Sequence, residues 1–194
     1  MVETAHDIAD PRIRRTRRLL QQALEKLLEA KDFDKISIQD IAEEATVNRV
    51  TFYDHYTDKF ALLQCVVGSR FQELMTQRCV QFDGTCGSQL KALVAGVCDY
   101  LAAMPGIDAE RQANMAPHLE AAVKGVVRRM ILEGLRKHAP ASTISPEMVA
   151  TTLSWAIYGA AQEWVRTPQR CDAAEIVDAI ARLVAPIFQQ VHAQ

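Results

Sequence analysis

An all-α fold is predicted by three observations. Apolar residues recur at spacings of three and four along the chain, the period that gathers them on one face of a helix. No stretch alternates apolar and polar residues between turn signals, as a half-buried strand would. Preferred N-cap residues precede several of the periodic stretches, and Pro or Gly closes others, which is where helices start and stop. The length of 194 residues allows one domain or two small ones, at roughly 100–200 residues each.

The elements follow in order. Leu20, Ala23, Leu24, Leu27 and Leu28 form the stripe of an amphipathic helix over about 12–31. Asp32 and Asp34 flank Phe33 in the break after it. Ser37, with Asp40 three residues on, is a capping-box start for a second helix that turns Ile38, Ile41, Ala42 and Ala45 inward. After Thr46-Val47, Asn48 is a preferred N-cap and opens a short helix to about Tyr56. Thr57-Asp58 begin a long helix carrying Leu62, Leu63, Val66, Val67, Phe71, Leu74 and Met75, which fades near Gln81. The run Asp83-Gly84-Thr85-Cys86-Gly87-Ser88 is the clearest loop. These boundaries predict a first domain at 12–57, a connecting helix at 58–83 and a second domain at 84–194.

Further on, a helix over 88–104 ends before Pro105-Gly106, and a short one over 107–115 is expected to stop at Pro117. A helix over 118–138 is closed by Pro140. Ser145 caps, and Pro146 begins, a helix over about 147–165. Asp172 caps the last, about 173–192, with Pro186 expected to kink it.

Composition excludes several classes. Hydrophobic residues make up 49% and charged residues 24%, ordinary globular usage rather than that of a disordered chain. No apolar run approaches the roughly 20 residues of a bilayer span, and the start Met1-Val2-Glu3-Thr4 lacks a basic-then-apolar leader. A soluble, cytoplasmic protein with no membrane partner is expected. The five cysteines (65, 79, 86, 98 and 171) show no CxxC spacing, so neither a disulfide frame nor a zinc site is expected. The histidines are dispersed, and neither HExxH nor GxxxxGK occurs, so the chain reads as neither an enzyme nor a cofactor binder. The net charge of −2 does not advertise a nucleic-acid partner, yet Pro11–Gln22 holds five arginines (12, 14, 15, 17 and 18) and no acid. A basic arm of that kind suits phosphates, as it also suits a solvated helix start.

Two short capped helices joined by a tight turn, packed on a longer first helix, describe a helix-turn-helix module. Only the N-terminal end of its second helix enters a major groove, and Arg49, Val50 and Thr51 stand there. Arginine can read guanine bidentately, and Val or Thr methyls can touch thymine. Tyr53, His55 and Lys59 follow at spacings suited to phosphates. Phe52 and Tyr56 are expected in the core.

The stretch Arg17–Leu63 resembles the DNA-binding domain of the TetR family of bacterial transcriptional repressors. The likeness runs through Leu19-Leu20, Ala23, Leu27-Leu28, Phe33, Ser37, Ile41-Ala42, Ala45, Val47 and Asn48. It continues through Thr51-Phe52-Tyr53, His55-Tyr56, Lys59 and Leu62, about a quarter of the chain. The resemblance implies an all-helical repressor without enzymatic activity, whose C-terminal domain binds a small inducer and dimerises through its last two helices. By position it makes Ser37, Gln39, Asn48, Arg49, Val50, Thr51, Tyr53, His55 and Lys59 the expected contacts to double-stranded DNA at a near-palindromic operator. Asp32 and Thr46 stand where that family usually has glycine. Aspartate tolerates a left-handed backbone, whereas a β-branched residue at positive φ is strained.

For the second domain, an apolar cavity lined by Phe71, Met75, Cys98, Met104, Met115, His118, Met130, Trp155 and Tyr158 is expected, suited to a neutral or mostly apolar ligand. The helix at 147–166 carries two stripes, one of Leu153, Ile157, Ala160, Ala161 and Trp164, the other of Thr151, Trp155, Tyr158 and Gln162. Ile176, Ile180, Leu183, Ile187 and Val191 form a long apolar face on the last helix, which with its neighbour suits a four-helix homodimer interface. The chain therefore reads as a ligand-responsive dimeric repressor. The alternative is a helical DNA-binding factor without a ligand.

Overall fold

A computed structural model describes residues 10–80, 82, 87–103, 115–138 and 144–189. Among them there is no strand. The helices are α1 (Pro11–Ala30), α2 (Ile38–Glu44), α3 (Arg49–His55), α4 (Lys59–Gln77), α5 (Gly87–Ala103), α6 (Ala116–His138), α7 (Pro146–Arg166) and α8 (Ala173–Gln189). A single 3₁₀ turn, Phe33–Lys35, follows α1. No helix is long and apolar enough to cross a membrane among the described residues.

Two compact units result. The first runs to Val67 and includes the segment that ends at Leu119; the second takes Gly68–Gly106 and everything from Glu120. The division falls inside α4, ten residues beyond the expected end of the first domain at 57.

In the first unit α1 packs on both α2 and α3. Asp10 caps α1 by accepting from the Arg12 amide, and Pro11 takes the first helical position, where its missing N–H costs nothing. The core is Leu20, Leu24, Ile36, Ile41, Phe52, Leu62 and Leu63, each almost wholly buried. Helix α2 ends in a Schellman turn: the Thr46 amide donates to the Glu43 carbonyl (3.0 Å) and the Val47 amide to Ala42 (2.9 Å). That closure needs a left-handed residue, and Thr46 supplies it at φ 57°. The strain expected at this position is therefore present. Asp32 differs from expectation. Its φ is −57°, and α1 closes with Lys31 extended (φ −153°), so no left-handed residue is needed there.

In the second unit α5 packs on α7 and α8, and α7 on α8. Gly96 of α5 lies against Met75, whose side-chain tip comes within 2.5 Å of where a Cβ would stand. Helix α4 ends as α2 does, with Cys79 left-handed at φ 52°. Ser145 caps α7, accepting from the Met148 amide, with Pro146 behind it as expected. The connection to α8 is pinned by the Trp164 indole N–H donating to the Cys171 carbonyl (2.9 Å).

Pro117 lies in the first turn of α6, which begins two residues before the expected start at 118. The expected helix over 107–115 falls almost entirely outside the described residues, as does the loop at 83–86. The apolar face of α8 is shared out differently from its sequence stripe. Ile180, Ala181 and Val184 are buried within the chain, while Leu183 is 73% exposed; Val191 lies outside the described residues.

Candidate nucleic-acid interface

Each helix of the turn is fixed by its own cap. The Ser37 Oγ accepts from the Asp40 amide (3.1 Å), and Asp40 Oδ2 accepts from the Ser37 amide (2.7 Å), a complete capping box. The Ser37 amide and hydroxyl, with Lys31 at 3.1 Å, hold the Asp40 carboxyl down at about 2. Asn48 Oδ1 accepts from the Val50 amide (2.9 Å) and starts α3. Phe52 anchors α3 from beneath, wholly buried, and Tyr56 lies beside it with ring centroids 5.9 Å apart. The Tyr56 hydroxyl accepts from the Gln21 amide of α1 (3.3 Å), and that amide also donates to Cys65 Sγ (3.1 Å). Burial pushes the Tyr56 hydroxyl pKa well up, so it stays protonated.

Phe52 and Tyr56 turn inward, while Arg49 and Val50, in the first turn of α3, and Tyr53 are exposed. Val50 is 67% exposed and Tyr53 47%. One turn apart, the Arg49 guanidinium donates to the Tyr53 hydroxyl (3.2 Å) and sits 5.7 Å from its ring centroid. Thr51 is partly covered. This short surface presents a fork of donors, a branched apolar side chain and a phenol, the groups that read guanine, touch a thymine methyl and meet a phosphate.

Other expected contact residues use their polar atoms internally. Ser37 and Asn48 are caps, and Gln39 donates to Glu43 (2.6 Å) on its own helix. His55 is half-buried, and its pKa is lowered by desolvation and then by the Arg17 charge. Lys59 departs furthest from expectation. Its ammonium donates to the carbonyls of Ile36 (2.8 Å), Phe33 (3.0 Å) and Asp34 (3.3 Å) and lies 4.6 Å from the Phe33 ring centroid. It ties the start of α4 to the 3₁₀ turn. Neither that turn nor the lysine's role showed in a helical spacing; the only sequence signal was Asp32-Phe33-Asp34 breaking the stripe.

The expected ligand-lining residues separate. Phe71 and Met75 are wholly buried in the second unit, with Phe71 5.0 Å from the Tyr100 ring centroid. Cys98 and Tyr158 are buried too, and desolvation raises them to about 11 and about 12. Met130 is partly exposed. Trp155 does not join them: it is 59% exposed, with the Lys124 ammonium 3.0 Å above its ring. The wheel put it on a stripe with Tyr158, but only Tyr158 turns inward. His118 and Met115 belong to the first unit, where His118 stacks on Phe60 (4.4 Å) and its Nδ1 lies 2.8 Å from the Gln64 amide nitrogen. Met104 lies outside the described residues. Arg128 and Arg129 are engaged by Thr151 (3.0 Å) and Gln72 (3.3 Å).

Residues 19–66 match the family model of bacterial regulatory proteins, tetR family. The uncharacterized HTH-type transcriptional regulator YxbF of Bacillus subtilis (strain 168) is 42% identical over 67 residues, a stretch that covers 34% of this chain and 18% of that relative. The match thus spans less than a fifth of that relative's length. Among solved structures, the TetR family repressor AlkX from Dietzia sp. strain DQ12-45-1b superposes with a TM-score of 0.54 at 16% identity, covering 89% of this chain and 97% of that one. RolR in complex with resorcinol gives 0.51 at 18% identity, covering 92% and 93%. At these identities the likeness is one of fold.

Proposed function

We propose that this chain, whose residues 19–66 match the tetR family of bacterial regulatory proteins, acts as a dimeric repressor released from a near-palindromic operator by a small molecule. The observation that carries the reading is the exposed trio Arg49, Val50 and Tyr53 on a helix clamped from beneath by Phe52 and Tyr56. An exposed valine in the first turn does nothing for folding, and beside a guanidinium and a phenol it suits a base edge. Arg49, Val50 and Thr51 read the major groove; Tyr53 meets the backbone; Ser37, Gln39, Asn48 and His55 flank it.

Two copies pair through α7 and α8, the helices that carry the exposed Met148, Trp155 and Leu183. That pairing sets half-sites about one helical turn (~34–36 Å) apart. The inducer is neutral or mostly apolar and enters the second unit among Phe71, Met75, Cys98 and Tyr158. It releases DNA only to the extent that it binds the non-fitting dimer better than the fitting one. RolR, with its resorcinol, is a precedent of like fold for such a site.

The test is selection of bound duplexes from a random pool at near-physiological salt, with Tyr53→Ala and Thr51→Ala alongside. One palindrome, recovered by the parent and lost by both variants, is the expected result. Sequence-blind, salt-sensitive binding alone would sink the operator reading. A specific site that no small molecule releases would favour the ligand-free factor.

A further inference from the structure

The helix-turn-helix reading leaves Arg12, Arg14, Arg15 and Arg18 of α1 unused. The N-terminal turns of a helix carry partial positive charge and favour acids. Here α1 has no acid in its first turn and carries Arg12, Arg14, Arg15, Arg17 and Arg18 instead. Arg14 and Arg18 are four apart, where like charges repel across a turn. Asp10 caps the helix, and Glu25 is the next acid along it. Among the described residues no carboxylate pairs with Arg12, Arg14, Arg15 or Arg18, and all four are exposed. A segment that breaks the local rules in this way points to function.

The geometry narrows that function. Arg14, Arg15 and Arg18, with Pro11, Leu19 and Gln22, share one open face of α1. Leu20, Ala23 and Leu24 bury the opposite face. Arg17, at the edge between the two, acts electrostatically on His55 at the end of α3. Helix α1 packs on the helix that presents Arg49, Val50 and Tyr53, within one compact unit. Arg14 and Arg18 stand about 6 Å apart along the helix axis, a reach that covers neighbouring phosphates of a strand, spaced about 3.4 Å along the duplex axis.

We infer that the exposed face of Arg14, Arg15 and Arg18 is a second DNA-binding surface, which grips backbone phosphates flanking the half-site and reads no bases. It rests on the DNA-binding reading above. It supplies electrostatic affinity to a chain of net charge −2, from a twelve-residue stretch (Pro11–Gln22) that holds five arginines and no acid.

The experiment measures affinity for the selected duplex and for a scrambled one as a function of salt. The full chain is compared with the triple variant Arg14→Gln, Arg15→Gln, Arg18→Gln, the matching triple lysine variant, and Arg182→Gln of α8 as control. Each phosphate neutralised adds about 0.9 to the slope of log affinity against log salt, so the glutamine triple should flatten it by about 2.7. Between 50 and 200 mM salt the parent should then lose about forty-fold more affinity than that variant. Both duplexes should weaken alike, and the lysine triple should keep the slope.

An unchanged slope in a folded glutamine triple overturns the inference, as does a loss confined to the selected duplex. If the triple does not fold, the single variants carry the test, each flattening the slope by about 0.9. Salt-sensitive but sequence-blind binding by the parent, still flattened by the triple, would sink the operator and leave this surface standing. No DNA binding by the parent removes both.

Discussion

Replacing Thr46 by glycine should stabilise this protein, in a turn where most substitutions do harm. Thr46 sits at φ 57°, where an L-residue pays roughly 1–2 kcal/mol. Its amide makes the turn's own hydrogen bond to Glu43, which glycine keeps. Its side chain is exposed and makes no hydrogen bond among the described residues, so nothing is lost in removing it. Against the relief stands the greater freedom of glycine in the unfolded chain, about 0.5–1 kcal/mol. The balance is a gain of about 0.5–1 kcal/mol, or a few degrees in Tm for a chain of this size. Asparagine, which tolerates the left-handed region, should fall between Thr and Gly. Thermal and urea unfolding of the three proteins measures the order directly. If Thr46→Gly melts at or below the parent, the turn is not strained as its backbone angle implies, and the Schellman assignment fails with it.

Three further outcomes are expected. Lys59→Met keeps the apolar stem but leaves the carbonyls of Phe33, Asp34 and Ile36 without their donor; urea unfolding should show a loss of about 1–3 kcal/mol. A variant of unchanged stability that binds DNA less well would make Lys59 a phosphate ligand instead. His55 has its pKa lowered below 6.5 in the folded chain, so the folded state binds fewer protons there than the unfolded one. Its contribution is complete above 6.5 and is lost as the pH falls through that value toward the folded pKa. His55→Gln should therefore flatten the fall in urea midpoint on acidification, and parallel curves for the two proteins would refute the assignment. Gly134→Ala should cost about 1–3 kcal/mol by overpacking, because a Cβ there meets the Phe82 carbonyl oxygen and ring; a rise in melting temperature would show that Phe82 can yield.

The fold was legible wherever one physical signal sufficed. The 3.6-residue period together with Ser37, Asn48 and Ser145 as caps located α1, α2, α3 and α7 to within a residue or two. Failures came where a residue had two competing uses. Pro117 can end one helix and begin the next, and the start of α6 at Ala116 takes it into the first turn, two residues ahead of the expected boundary. Trp155 lies on a wheel stripe with Tyr158, but a wide aromatic stripe has an inner and an outer edge. Only packing tells which edge faces α5, and the nearby Lys124 takes the outer one. The 3₁₀ turn at Phe33–Lys35 is too short to show any period.

The residues proposed to face DNA follow the same logic one level up. A sequence reveals which side chains have the right chemistry for a phosphate or a base, not which polar atoms the protein has already used. Ser37 and Asn48 have the chemistry and spend it on helix caps; Lys59 spends its charge on three carbonyls. Such residues shape the surface, and their removal weakens DNA binding mainly by loosening the helices that carry it. Residues whose donors the fold leaves outward are the ones whose loss should change affinity while leaving stability alone: Arg49 and Tyr53, which among the described residues hydrogen-bond only each other, and Arg14, Arg15 and Arg18 of α1, which are exposed. Separate measurement of unfolding and of binding therefore divides the nine expected contacts and the α1 tract into two sets. The division predicted here puts Lys59 with the caps and Arg14, Arg15 and Arg18 with Arg49 and Tyr53.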